Sequence, residues 1–537
     1  MSSPLQQASI LIIDDFQGMR TMLRDLVKSM GVIKVDTAAN GKEAMKLLQM
    51  NSFDIVICDY NLGIGQNGQQ VLEEARLSSY IGVSTIWVMV TAEKTTDMVM
   101  GAAEVKPDDY LLKPINQSLL ESRLEKLIIK KKSLSGIETA IKARDYVTAI
   151  AQCDQQLQAK PLNPQEILRI KSDLLLTIGD YKTAQELFET VLAARSVPWA
   201  KTGLGKILFY TGEYADAKEV FQQVLEENRM FLEASDWLAK TLDVLGNGEQ
   251  AQQVLLDAVK LSPNSLTRQK TLGDTAYKNG ALDIAQAAFE KTIKVSEFSS
   301  LKNPAVYAGL ARVFSDKGTP DEALKVLERS KKEFKDNPEA AIQTAAAESA
   351  VYQKLGQSEK AQAAMAGAEQ LLEKLAGKVS SEVAMQMAKS LFKLGKKDRA
   401  CDLLRDVVKN NHENAEISRQ VEALFDSEQL GDEGRSLVKE SRQQVVDINN
   451  QGVMLAKAGE FEEGVKLLRQ ALQNLPNNEV ILMNLCGLLI GLMSKEGKND
   501  LMTVEIQDLL SRVHELNPAN KKYHGYAGAL ARMVNAK

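Results

Sequence analysis

Histidine is almost missing from this chain of 537 residues, which has three, together with three Trp and four Cys. His412, His514 and His524 are scattered with no acid or Cys cluster beside them, so they are read as surface residues and not as metal ligands. Cys58, Cys153, Cys401 and Cys486 are widely spaced and form no C-x-x-C pair, which excludes a disulfide framework or zinc ribbon and suits a reducing cytoplasm. With 12 Pro and 33 Gly there is little room for disordered linkers. Long apolar runs are scarce as well. The longest, 481–493, is too short to span a bilayer and carries Asn484, so it is expected to be a buried helix and no membrane span is expected. A basic segment followed by a hydrophobic core is lacking at the start, so no secretion signal is expected. The net charge of −5 argues against nonspecific nucleic-acid binding, and Lys130, Lys131 and Lys132 are read as a solvated connector.

What is present is 44% hydrophobic residues, enough for buried cores in several domains. Four short segments of the first 130 residues each close an apolar run with a polar group. ASILIIDD ends in Asp14 and Asp15, FDIVICD in Asp59, STIWVMVT in Thr91, and DDYLLKP in Lys113. Helical spacing follows at FQGMRTMLRDLVKSMG, NGKEAMKLLQM, NGQQVLEEARLS and TTDMVMGAAE. Strand then helix, repeated five times, predicts a doubly wound α/β domain with parallel strands.

Open parallel sheets bind ligands outside the carboxyl ends of their strands, which is where all these polar groups fall. Three carboxylates gathered there repel one another unless a hard cation neutralises them, and Mg²⁺ is the usual choice. Asp14 and Asp15 then form the cradle and Asp59 is the nucleophile. A Lys ammonium at Lys113 and a hydroxyl at Thr91 stabilise phosphoryl oxygens in a reaction governed by positioning and charge neutralisation. An acid pair after a strand can be a mere helix cap; five groups at strand ends in this order argue against it.

Residues 8–130 resemble a response-regulator receiver domain, a flavodoxin-like fold. The resemblance implies that Asp59 is the phosphoacceptor and that Mg²⁺ is bound by Asp14, Asp15, Asp59 and the backbone carbonyl of Asn61. It further implies that Thr91 and Tyr110 report the phosphorylated state, that Lys113 contacts the phosphate, and that the Lys113-Pro114 peptide is cis. Asn61 and Glu93 would tune the phosphoryl lifetime. Two places depart from the pattern: Gly63 stands where Pro is usual, with one extra residue before Gly68, and Val105-Lys106-Pro107 replaces the usual Gly-Ala.

The remaining three quarters carries an internal period. Gly179, Gly212, Gly246 and Gly280 are spaced by 33, 34 and 34 residues, and Gly318, Gly356 and Gly395 continue at 38, 38 and 39. Ala184, Ala217, Ala251, Ala285, Ala323, Ala361 and Ala400 stand five residues after these glycines. Gly459 with Gly464 is a late copy, and Arg144 with Ala149 an early one. Nine residues after each marker the residue is large and apolar, for example Phe188, Phe221 and Phe289; seven before it the residue is small, for example Gly205, Gly273 and Gly452. The spacing predicts pairs of helices joined at the Gly, each leaving an apolar face that only the next pair can cover.

A period of 34 with turns such as GDY and GEY resembles the tetratricopeptide repeat. That resemblance implies an all-α superhelical solenoid over 131–537, of about eight to ten repeats and irregular over 411–450, whose concave side binds a protein ligand. Trp199 and Trp237 are read as packing between helices. The helix SLLESRLEKLIIKKKSLSGIETAIKA is expected to run almost unbroken from the receiver toward the first repeat and to couple the two.

The expected function is that of a cytoplasmic two-component response regulator, phosphorylated by a sensor histidine kinase or phosphotransfer protein, with the repeats as a protein-binding output and a possible homodimer through the receiver. The alternative is a constitutive scaffold in a motility or polar assembly whose oligomeric state the receiver sets. Direct DNA contact is not expected, for want of a basic recognition helix. Nor is an output enzyme, because no nucleophile–base set or metal cluster follows residue 135.

Overall fold

The computed structural model describes residues 4–92, 105–161, 164–375, 379–517, 520 and 522–535. Five parallel strands open the chain: β1 (Ser9–Ile13), β2 (Lys34–Ala38), β3 (Ile55–Asp59), β4 (Ile86–Thr91) and β5 (Asp109–Leu112), in the order β2-β1-β3-β4-β5. Helices α1 (Gln17–Ser29), α2 (Gly41–Met50), α3 (Gly68–Leu77) and α4 (Gln117–Lys132) cover them. Alternation along β1 assigns the two layers: Ile10 and Ile12 pack with Leu23, Val27 and Leu124, whereas Leu11 and Ile13 pack with Leu48, Val71 and Leu72. Burial on both faces is why these strands read as continuous apolar runs. The edge strand β2, KVDTA, shows no such run because most of its residues face outward.

Side-chain caps place the helix starts. Asn40 accepts from the Glu43 amide at the head of α2, and Asn67 forms a reciprocal capping box with Gln70 at the head of α3. The segment TTDMVMGAAE lies outside the described residues.

Paired helices follow from Ser135 onward. The markers Gly179, Gly212, Gly246, Gly280, Gly318, Gly356, Gly395 and Gly459 all have positive φ, between 67° and 91°, the conformation that closes a helix and turns the chain at least cost for Gly. The small residue before each turn makes room for the large one after it. A Cβ on Gly205 would lie 2.5 Å from Phe221, one on Gly273 2.6 Å from Phe289, and one on Gly452 3.0 Å from Leu468. The lengthening of the period has three separate causes. Between Gly280 and Gly318 the loop 296–303 is longer than its counterpart 262–265. Between Gly318 and Gly356 a helix grows to 17 residues (Pro338–Lys354). Between Gly356 and Gly395 the helix Ser358–Lys374 has 17 residues, and the segment after it is longer too.

The stretch 411–450 fits the Gly pattern poorly because its turn uses Gln429, held at φ 61°, where the other copies have Gly. From there the register holds: Gly434 stands at the Ala position, packed on Phe425, and Val438 at the large position is buried. No turn then separates two helices. Gly431–Ala458 is a single helix of 28 residues.

The chain forms two compact units, residues 1–176 with 180–306, and 177–179 with 307–537. Within the first unit, three expectations are corrected or sharpened. The connecting helix is not continuous: α4 ends at Lys132 and a new helix, Ser135–Lys142, begins after Ser133 and Leu134. The basic run is not a solvated connector, because Lys131 is buried and its ammonium bonds Asp108 and Glu166, each at 2.9 Å. Trp199 packs edge-on to Phe188 and Trp237 packs against Phe209 and Phe221. In the second unit His412 and His514 are buried, not on the surface; His412 meets the Asn478 side chain and His514 lies beside Tyr523. The side chain of His524 lies outside the described residues. Among the described residues no helix is long and apolar enough to cross a membrane, and the apolar run 481–493 lies inside the helix Glu479–Glu496 with most of its side chains buried.

Candidate functional site

The ends of β1, β3, β4 and β5 bring Asp14, Asp15, Asp59, Thr91 and Lys113 to one edge of the sheet. Strand hydrogen bonding sets the levels: the Asp14 amide donates to the Ala38 carbonyl, the Tyr60 amide to Val90, and the Lys113 amide to Thr91 at 2.8 Å. The three carboxylates each offer an oxygen, and these lie within 4.8 Å of one another. Asp14 and Asp59 are buried, while Asp15 is exposed.

Lys113 answers this concentration of charge. Its ammonium donates to Asp59 at 2.8 Å and to Asp14 at 3.0 Å. Burial alone would pull the Lys113 pKa down, but the two carboxylates outweigh it and hold the ammonium above its usual value. Burial pushes Asp59 above the usual carboxylate range, with Asp14 adding to the rise and Lys113 and the Asn61 backbone opposing it. Cys58, beneath Asp59, has its thiol raised well above normal by burial and then by Asp59 and Asp14. Oxygen donors crowded about a charge that one lysine neutralises only in part have the chemistry of a hard-cation site.

The loop after Asp59 is tied down at both ends. The Gly63 amide donates to the Asn61 side chain at 3.2 Å, and the Gly68 amide to the Tyr60 carbonyl at 2.8 Å. A side chain at Gly68 would overlap the Asp59 carbonyl, so the first residue of α3 must be Gly. Gly63 faces Asp15, where its positive φ of 73° removes any gain from a Pro. Tyr110 is half-buried, and burial followed by Tyr60 raises its hydroxyl pKa to about 12. The Lys113-Pro114 peptide is cis. Glu93 lies outside the described residues.

The profile described as the response regulator receiver domain matches residues 10–125. The chemotaxis protein CheY of Pseudomonas aeruginosa is 30% identical over 118 residues, covering 22% of this chain and 94% of that protein. The chain belongs to the response regulator receiver family. CheY-3 of Vibrio cholerae is likewise 30% identical over 118 residues, covering 22% of this chain and 89% of that protein. The crystal structure of Vibrio cholerae CheY4 at low pH shares 28% identity, over 22% of this chain and 98% of that one, with a TM-score of 0.21. Behind the receiver of this response regulator, tetratricopeptide repeat profiles match residues 208–274, 270–338 and 382–411.

Buried polar contacts between the receiver and the helices after it carry almost no signal in the sequence. Glu74 of α3 is 2% exposed and bonds Ser299 and Ser300; Ser84 bonds Glu138. None belongs to a motif. The one trace in the sequence was the step of the repeat period from 34 to 38 at Gly280–Gly318, which falls on the loop that carries Ser299 and Ser300.

Proposed function

We propose that this response regulator accepts a phosphoryl group on Asp59 from a sensor histidine kinase or a phosphotransfer protein, and that its tetratricopeptide region binds a protein partner in response. Asp14, Asp15, Asp59 and the Asn61 carbonyl would hold Mg²⁺, which when bound supplies positive charge to the phosphoryl oxygens. An Asp59 carboxylate oxygen attacks phosphorus, the O–P bond forms as the N–P bond of the donor phosphohistidine breaks, and the imidazole leaves as the neutral donor after taking up a proton. Lys113 moves its ammonium from the free carboxylates to a phosphoryl oxygen. Thr91 offers its hydroxyl from the end of β4, and Tyr110 on β5 follows it. Hydrolysis of the acyl phosphate by water resets the switch, and no other reaction is assigned to the chain. The receiver is assigned to residues 1–130 and the repeats to 131–537, in the cytoplasm.

The observation that carries this reading is the meeting of three carboxylates with the Lys113 ammonium, which itself bridges Asp14 and Asp59. Its test is incubation of the full chain with acetyl phosphate and Mg²⁺, followed by intact mass and peptide mapping. One phosphoryl group on Asp59, lost in Asp59→Asn and with EDTA, is expected. An unmodified, folded wild type would remove the proposal.

A further inference from the structure

Asp14, Asp15 and Asp59 are not held alike. Asp14 Oδ1 accepts from the Phe16 amide at 2.9 Å and Oδ2 from the Lys113 ammonium, and Asp59 accepts from Lys113 as well. Asp15 is exposed, and among the described residues its carboxylate accepts no hydrogen bond and joins no ion pair. A side chain at Gly63 would come within 3.1 Å of Asp15 Oδ2, so glycine keeps the space beside that oxygen open. Whatever aims the Asp15 carboxylate must therefore act on its main chain.

Arg20 does so. One nitrogen of its guanidinium, Nη1, donates to the Asp14 carbonyl at 2.7 Å and to the Asp15 carbonyl at 3.0 Å. These carbonyls belong to the two planar peptide units on either side of the Asp15 Cα, and gripping both fixes the φ and ψ that direct its side chain. Local chemistry favours neither the place nor the pairing. Arg20 lies at the start of α1, the end of a helix that disfavours cations, and Phe16 at its head supplies no side-chain cap. A guanidinium beside three carboxylates ordinarily pairs with one of them, fork to fork. Among the described residues Arg20 pairs with none, and the Asp15 carboxylate stays free to take a cation.

We propose that Arg20 is a positioning residue for the Asp15 carboxylate, and that without it the site loses most of its affinity for a hard divalent cation. Groups that orient a metal ligand without touching the metal change affinity by roughly 10–100-fold when removed. The charge of Arg20 works the other way. A guanidinium near the site repels a second cation, so its removal would by charge alone strengthen binding. The two effects have opposite signs, and one measurement separates them. The inference rests on the three carboxylates as the cation site of the proposed function.

Titration of the full chain with Mn²⁺, a hard cation of similar oxygen-rich coordination whose free form is seen by EPR, gives the affinity directly. Arg20→Met keeps most of the apolar stem and loses the donors; its affinity is expected to fall about tenfold or more. Arg20→Lys, whose ammonium can still donate to a carbonyl, is expected to recover part of the loss. In an Asp15→Asn background Arg20→Met is expected to add little, because it acts through the carboxylate already removed. Melting in EDTA identifies the folded variants, and a merely structural Arg20 would weaken binding to the same extent in both backgrounds. Unchanged or tighter Mn²⁺ binding by folded Arg20→Met overturns the positioning. So does an undiminished effect in Asp15→Asn. A wild type that binds Mn²⁺ no better than Asp59→Asn instead defeats the cation site of the proposed function, and the positioning with it.

Discussion

Gly205 faces the ring of Phe221 so closely that a methyl at its Cα would lie 2.5 Å from the ring edge. The same pairing recurs between Gly273 and Phe289, which makes it the joint by which the two helices of a repeat lock together. Gly205→Val should destabilise the first unit by about 1–3 kcal/mol through overpacking. Thermal melting followed by circular dichroism should show the drop, and Phe221→Leu in the same chain should return part of it. Equal melting of Gly205→Val and wild type would show that the joint is loose.

Asp59 has a raised pKa, so its carboxylate is less favourable in the fold than in the unfolded chain. Such a group costs stability above its folded pKa, and the cost vanishes as pH falls below the unfolded value of about 3.9. Asp59→Asn should therefore melt higher than wild type at pH 7 in EDTA, with the advantage shrinking toward pH 4. Mg²⁺ should raise the melting temperature of the wild type and leave that of Asp59→Asn nearly unchanged. Lys113 acts with the opposite sign: its contribution is complete below about pH 10.4 and is lost as pH rises through its raised folded value.

Burial raises the thiol of Cys486 to about 12 and that of Cys153 to about 11. Cys58 is fully buried and raised as well. At pH 8 a thiol of pKa near 12 is ionised to roughly one part in ten thousand, and thiolate is the reactive form. Iodoacetamide should modify the half-exposed Cys401 first, with Cys58 and Cys486 unlabelled until the chain unfolds, as read by peptide mass mapping.

Gln429 sits at φ 61° in the turn between Ala415–Ser427 and Gly431–Ala458, where a non-Gly residue costs about 1–2 kcal/mol. Gln429→Gly should stabilise the second unit by up to about 1 kcal/mol, since the added freedom of the unfolded chain takes back part of the relief. Urea unfolding followed by ellipticity should move to a higher midpoint; a lower one would mean that the Gln side chain holds the turn.

Legibility followed locality. The strand-end groups could be read because each closes a run buried on both faces, and a strand of that kind is apolar throughout. β2 escaped because an edge strand with outward side chains has no such run. The repeats were visible through Gly, Ala and the large apolar column, whose roles depend on neighbours at fixed separation. They faded at Gln429, where the turn kept its conformation and changed its residue. Lys131, His412 and His514 were misjudged because polar residue type says little about burial once a partner stands at hand.

The order of residues by itself determined the sheet, the acid cluster at its edge and the helical period, because strand pattern, turn chemistry and repeat spacing are properties of short stretches. Only the tertiary structure decided that Glu74 meets Ser299 and Ser300, more than two hundred residues away. A buried carboxylate must find donors, yet hydrogen-bond donors carry no periodicity. Which ones it finds depends on the length of a single loop and on the packing of every helix that places it.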